Sequence, residues 1–192
     1  PNTNPLTVTL DALNAKLDLL NEKCIVNHSC YFGATNNNYT EFDKLDKHRV
    51  CGIKLFMGSS TGNMLVDKMN SLLNIFNGTD MLIAAHCEDQ ETIKNNIEKY
   101  KQKYKGADDI PVSAHPSIRS VPACYASSEL AVRLAKIAGA RLHILHVSTA
   151  KELQLFSDEP LANKNITAEA CVAHLLFTLT HYNSLGARIK CN

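Results

Sequence analysis

The sequence predicts an α/β fold built on a parallel sheet, and three observations lead there. Short apolar runs alternate along the chain with segments of helical spacing, the pattern of strands joined by helical crossovers. The runs at 50–57, 81–85 and 142–145 are nearly unbroken in apolar residues, as strands covered on both faces require. Each also carries a polar side chain at or near its C-terminal end: Lys54 in the first, His86 after the second and His146 after the third. In α/β barrels that end of the strands is where active sites sit. An open doubly wound sheet is the alternative, but no glycine-rich phosphate loop follows any early strand. A TIM-like (β/α)8 barrel is therefore the favoured fold class.

The elements follow in order. Residues 1–5 are loop, and Leu10, Leu13, Leu17 and Leu20 then recur at helical spacing. Residues 25–32 read as a strand, 39–46 as a short helix or turn, and 50–57 as the next strand. That strand stops in Gly58-Ser59-Ser60-Thr61-Gly62-Asn63, small and polar residues suited to a close-approach loop. A helical segment with Met64, Leu65, Met69, Leu72, Leu73 and Phe76 as its apolar positions is set mainly over 66–76 and stops at Asn77-Gly78. The third run, 81–85, closes in His86-Cys87-Glu88-Asp89, and a highly charged helix covers 91–104. Three prolines make 110–122 irregular, with Arg119 between Ile118 and Ser120. Residues 130–138 belong to a long helix that ends near Gly139, and strand 142–145 closes in His146-Val147-Ser148-Thr149. A short helix begins near Ala150, a fifth strand covers 166–171, and 188–192 starts another element.

Composition narrows the function classes. At 192 residues the chain is long enough for one domain with a sizeable core. A net charge of +1 with 20% charged residues gives no electrostatic case for a nucleic-acid partner. No stretch reaches the length of a membrane span, and the opening PNTNPLTVTL lacks signal-peptide form, so a cytoplasmic protein is expected. The seven cysteines lack CxxC spacing and sit largely in apolar runs, which reads as reduced thiols rather than a disulfide framework.

The chemistry concentrates on three residues. An unpartnered ammonium inside a buried strand is costly, so Lys54 needs either a partner or a path by which it snorkels to water. Two histidines and a lysine on separate strand ends suggest a metal site, because neutral imidazole is a common zinc ligand. A two-metal site also needs an anionic bridge. A protonated amine has no lone pair to give, whereas a lysine carboxylated by carbon dioxide is anionic and presents two oxygens.

Four motifs, GIKLFMGSSTGNMLVD, AAHCED, LHILHVSTAKEL and PNTNP, together resemble the dihydroorotase family of the amidohydrolase superfamily, in its bacterial form with lysine in the fourth barrel strand. The resemblance runs over essentially the whole chain. It implies reversible closure of N-carbamoyl-L-aspartate to dihydroorotate, with two zinc ions bridged by carboxylated Lys54. His86 and His146 would be ligands from the fifth and sixth barrel strands. Asn2 would hold the substrate carboxylate, and Asn192 falls where the family places an asparagine near the pyrimidine ring. The partner implied is a small-molecule substrate, with a homo-oligomer expected for the full-length protein.

The departures are equally specific. The family's first strand carries an HxH ligand pair followed by an arginine, and no HxH occurs here. The eighth-strand aspartate, ligand and general acid/base, has no counterpart. The resemblance thus implies one incomplete domain over 1–192, an internal piece from about the second to the seventh barrel strand, inactive alone. Dihydropyrimidinase and allantoinase share the lysine strand and are the nearest alternatives; a non-catalytic scaffold subunit is the alternative from another class. Among the other candidates, His143 is expected to pack or hydrogen-bond, and His28, His48 and His115 to lie outside the site. Glu88 and Asp89 either orient His86 or cap the next helix, and capping is the commoner role. Strand alternation turns Cys87 away from His86, toward the helices.

Overall fold

A computed structural model describes residues 2–58, 62, 64–106, 108 and 110–191. Five strands, β1 (Cys30–Gly33), β2 (Val50–Phe56), β3 (Ile83–His86), β4 (Leu142–Ile144) and β5 (Ile166–Ala168), pair side by side in chain order, and every pair is parallel. The order never reverses, so the sheet has no topological switch point of the kind that defines a doubly wound fold. Five strands are present among the described residues, one for each strand read from the apolar runs and one fewer than the second-to-seventh span that the resemblance implied.

The two faces of the sheet are chemically distinct. Phe32, Ile53, Leu55, Ile83, Leu142 and Ile144 join one hydrophobic core with helices α1 (Leu10–Lys23), α2 (Met69–Asn77) and α5 (Val121–Ala138). The intervening residues point the other way, as the two-residue period of a strand demands. In register across that second face stand Gly33, Lys54, Ala84, His143 and Thr167, with Phe56 beside His86 one step further along. A core-facing side and a polar side therefore come from single strands, and the polar side carries the candidate site.

Helix ends follow local chemistry. Thr9 Oγ1 accepts from Ala12 N at 3.2 Å to start α1, and an Asp89 carboxylate oxygen accepts from Thr92 N at 2.8 Å to start α3 (Gln90–Tyr104). The long helix to which 130–138 belong, α5, begins at Val121, where Pro122 falls in its first turn and a missing N–H costs nothing. It ends at Gly139, whose φ of 66° is the left-handed geometry that glycine adopts freely. The irregular stretch before it folds into a 3-10 turn, Val112–Ala114, and one turn of helix, α4 (His115–Ile118).

Three strand and helix bounds differ from expectation. β1 starts at Cys30, not 25: Ile25 and Val26 are exposed, and the ladder opens only where Cys30 meets Val50. β5 ends its regular pairing at Ala168, and Cys171 is exposed. Residues 64–68 are not helical. Leu65 bridges Phe56, Val66 N donates to Phe56 O at 2.9 Å, and α2 begins only at Met69. Among the described residues no helix is long and apolar enough to cross a membrane.

The pairing of β1 with β2 shifts register between Val50 and Gly52, where the backbone comes close to Leu82. A Cβ on Gly52 would lie 2.4 Å from Leu82 O, the backbone oxygen that accepts from Ile53 N at 2.8 Å. Backbone atoms cannot swing aside as a side-chain tip can. Gly52→Ala is expected to destabilise the fold by about 1–3 kcal/mol, read as a lower urea midpoint at unchanged m-value.

Candidate metal centre

The site is built from three adjacent strands, at or near their C-terminal ends. His86 closes β3, and its Nδ1 lies 2.9 Å from Nε2 of His146, just past β4. The ring centroids are 4.8 Å apart, so the two imidazoles meet edge to face with one nitrogen of each pointing at the other. His146 adopts φ 42°, a left-handed conformation that few non-glycine residues take and that clusters at functional sites. Burial pushes its imidazole below the ordinary histidine range, and His86 adds to the effect.

Lys54 comes from the middle of β2 and is buried, with no hydrogen-bond partner for Nζ. Its ammonium stands 3.9 Å from the centroid of the Phe56 ring, which itself lies 5.9 Å from the His86 ring. Burial lowers the Lys54 pKa to about 8, against a smaller upward pull from Cys87 and Glu169. A snorkelling lysine would keep its head in water, whereas this one is held over an aromatic face inside the protein. Its charge also weighs on His146, so the three residues share one electrostatic neighbourhood.

Around them the other expectations sort themselves. Asp89 caps α3, while Glu88 stays with His86: its Oε2 lies 2.9 Å from His86 Nε2 and accepts from Arg119 Nη1 at 2.7 Å. Asp89 thus takes the capping role, and Glu88 lies beside His86 without a formed hydrogen bond to it. Cys87 is buried in the core on the helix side, near Ser127 and Ser128, and burial pushes its thiol up to about 12. His143 hydrogen-bonds Thr167 Oγ1 at 2.8 Å and Glu169 Oε2 at 3.2 Å. His115 contacts Cys191 O at 2.7 Å, and His28 is engaged with Val26 and Asn21. Asn2 is exposed near the chain start, and Asn192 lies outside the described residues. Leu6, the residue after the PNTNP segment, approaches the loop after β2: a Cβ on Gly62 would meet Leu6 Cδ1 at 2.8 Å.

Glu169 was missed in the sequence. It follows β5 directly, near the C-terminal end of its strand as His146 is near that of β4, and it acts on Lys54, Tyr31 and His143. Applying the strand-end criterion to the fifth apolar run would have found it.

Among the described residues no three His, Cys, Asp or Glu side chains converge to hold a metal. Two facing imidazole nitrogens supply two neutral donors, and Lys54 supplies an orphaned buried amine. The set fits a metal if that amine becomes an anionic oxygen donor.

Comparison with known proteins bears on this arrangement. No protein-family model matches the chain. It is 28% identical over 199 residues to a dihydroorotase of Methanosphaera stadtmanae, covering all of this chain and 43% of that protein. It is 25% identical over 198 residues to an allantoinase of Deinococcus radiodurans, covering 99% of this chain and 42% of that one. Among solved structures it superposes on an L-hydantoinase (dihydropyrimidinase) from Arthrobacter aurescens with a TM-score of 0.87 at 25% identity, over 99% of this chain and 42% of that one. A D-hydantoinase structure matches with a TM-score of 0.74 at 19% identity, which bears on the fold alone. The chain spans about 43% of the length of the curated relatives it matches. Its homologues are amidohydrolases that act on cyclic amides.

Proposed function

We propose that these residues form part of the active site of a metal-dependent hydrolase of cyclic amides, of the dihydroorotase kind. The observation that carries the reading is the facing pair of imidazole nitrogens at 2.9 Å in the same neighbourhood as an orphaned buried lysine, from three neighbouring strands. His86 Nδ1 and His146 Nε2 would each give a lone pair to zinc. Lys54, carboxylated on Nζ, would bridge two such ions. Its amine suits that modification, since carbon dioxide adds to the neutral form. With a pKa of about 8, roughly a tenth of the amine is neutral at pH 7, against well under a thousandth for an ordinary lysine.

When bound, the ions supply Lewis-acid polarisation of the ring amide carbonyl. This chain's residues would hold the geometry. The Phe56 ring and the surrounding core exclude water from Lys54, and the strained backbone at His146 aims its ring at His86. In the hydrolytic direction one water is consumed and the ring C–N bond breaks, leaving a carboxylate and a ureido NH2. Asn2 would donate to the substrate carboxylate, and Asn192 would approach the ring. On this reading the sheet is an arc of a (β/α)8 barrel, with β1 to β5 as its third to seventh strands. The sequential order without a switch point supports it. We place the protein in the cytoplasm, acting on a small polar metabolite as a homo-oligomer.

A second reading, hydantoinase or allantoinase activity, is favoured by the superposition on L-hydantoinase and by the allantoinase relatives. Turnover by the zinc-loaded protein, with any coding sequence flanking these 192 residues included, decides between them. Preference for dihydroorotate over hydantoin and allantoin is expected. Preference for either uncharged ring favours the second reading, and no turnover of any of the three favours a non-catalytic scaffold.

A further inference from the structure

We infer that Glu88, anchored by Arg119, is a positioning residue that selects the tautomer of His86 and so presents Nδ1 with a bare lone pair. The inference rests on the metal reading above for its consequence, but not for its geometry. Glu88 is buried at 4% exposure, and a buried carboxylate requires a charged or donating partner. Arg119 Nη1 provides one, donating to Oε2 at 2.7 Å. The same oxygen stands 2.9 Å from His86 Nε2, at an angle short of a formed hydrogen bond, and that nitrogen is buried with no other hydrogen-bond partner. A small turn of ring or carboxylate aligns the two.

The support behind Arg119 is also built. Asn96 of α3 donates to Ile118 O at 3.0 Å and to Ser120 Oγ at 3.2 Å, gripping both neighbours of Arg119. On the other side, Gly58 packs so closely that a Cβ there would lie 3.0 Å from Glu88 N, O and Cβ. Glu88 is thereby fixed from two directions.

A carboxylate only accepts, so it favours the His86 tautomer with the proton on Nε2. Nδ1 is then an acceptor, and His146 Nε2 must donate across the 2.9 Å gap while no metal is bound. That one proton has to leave the gap before both nitrogens can bind a cation, so metal uptake is linked to proton movement. Without Glu88 the facing pair alone does not fix the tautomer of His86, and the fraction that carries its proton on Nδ1 presents the wrong nitrogen.

The test reads the tautomer directly, without metal or substrate. Metal-free protein labelled with 15N-histidine is examined by long-range proton–nitrogen correlation at about pH 8.5, above the ordinary imidazole range. The wild type is expected to show His86 almost wholly as the Nε2–H form. Glu88→Gln keeps the shape and removes the charge, and the tautomer ratio is expected to fall about tenfold, the difference between a charged and a neutral acceptor. Zinc affinity is expected to fall about 10–100-fold in the same variant, while Glu91→Gln on the exposed face of α3 changes neither. An unchanged tautomer ratio in folded Glu88→Gln overturns the inference. If that variant does not fold, Arg119→Gln is read instead, where an unchanged ratio overturns it equally and recovery in Arg119→Lys supports it. Absence of zinc binding by the wild type would strike the metal reading alone, because the tautomer is measured without zinc.

Discussion

In the full-length protein, with any flanking coding sequence included, replacing Lys54 with alanine is expected to remove most of the bound zinc and to lower kcat/KM on the order of a thousandfold or more, the scale of losing several kcal/mol of metal-based stabilisation. The reason is chemical: Lys54 is the group here that can become an anionic bridge, and its amine is buried with no other hydrogen-bond partner to satisfy. A short carboxylic acid added to Lys54→Ala is expected to restore part of the zinc content by standing in for the carbamate. Lys54→Arg is not expected to rescue, because a guanidinium neither loses its proton nor adds carbon dioxide. Elemental analysis of purified protein reads the first effect and steady-state kinetics the second. Normal zinc content in Lys54→Ala would show that the lysine only fills space beside Phe56.

The largest stability effect is expected at Phe32. Its side chain is fully buried in β1 and meets the Phe42 ring edge to face at 6.1 Å. Phe32→Ala leaves a cavity between the sheet and its helical layer and is expected to cost about 3–5 kcal/mol. That is a large share of the roughly 5–15 kcal/mol by which folded domains are stable. The damage reaches the site as well as the core. Gly33 and Ala34, next in the chain, tie Thr7 and Lys54 to β1 through backbone hydrogen bonds of 2.8 and 2.9 Å. Equilibrium urea unfolding measures the loss, and a change below about 1 kcal/mol would mean that the site collapses around the gap.

Most of the architecture was legible because parallel strands and their crossover helices have distinct periods. β2, β3 and β4 stand out as apolar runs, and the polar residues at their ends stand out against that background. What was misjudged has identifiable causes. Ile25 and Val26 have strand-like side chains but no partner strand beside them, and pairing is not written into a single segment. Residues 64–68 look helical in composition, yet Leu65 and Val66 are drawn back along Phe56 by a bridge that joins positions nine residues apart. The site was legible to the extent that its residues follow strands. Lys54, His86 and His146 were found on that criterion, and Glu169, on the same criterion, was overlooked. Arg119 could not be found that way, because it lies in a loop and reaches Glu88 across 31 residues of sequence. Only the folded chain brings them together.

The central claim is that His86, His146 and Lys54 hold metal together. Diffraction from zinc-soaked crystals at the zinc absorption edge, with any flanking coding sequence included in the protein, tests it most directly. The expected result is an anomalous peak about 2.0–2.1 Å from both His86 Nδ1 and His146 Nε2, with density for a carboxylate on Lys54 Nζ. A peak confined to other side chains, with the two histidines still joined nitrogen to nitrogen and Lys54 unmodified, would contradict it.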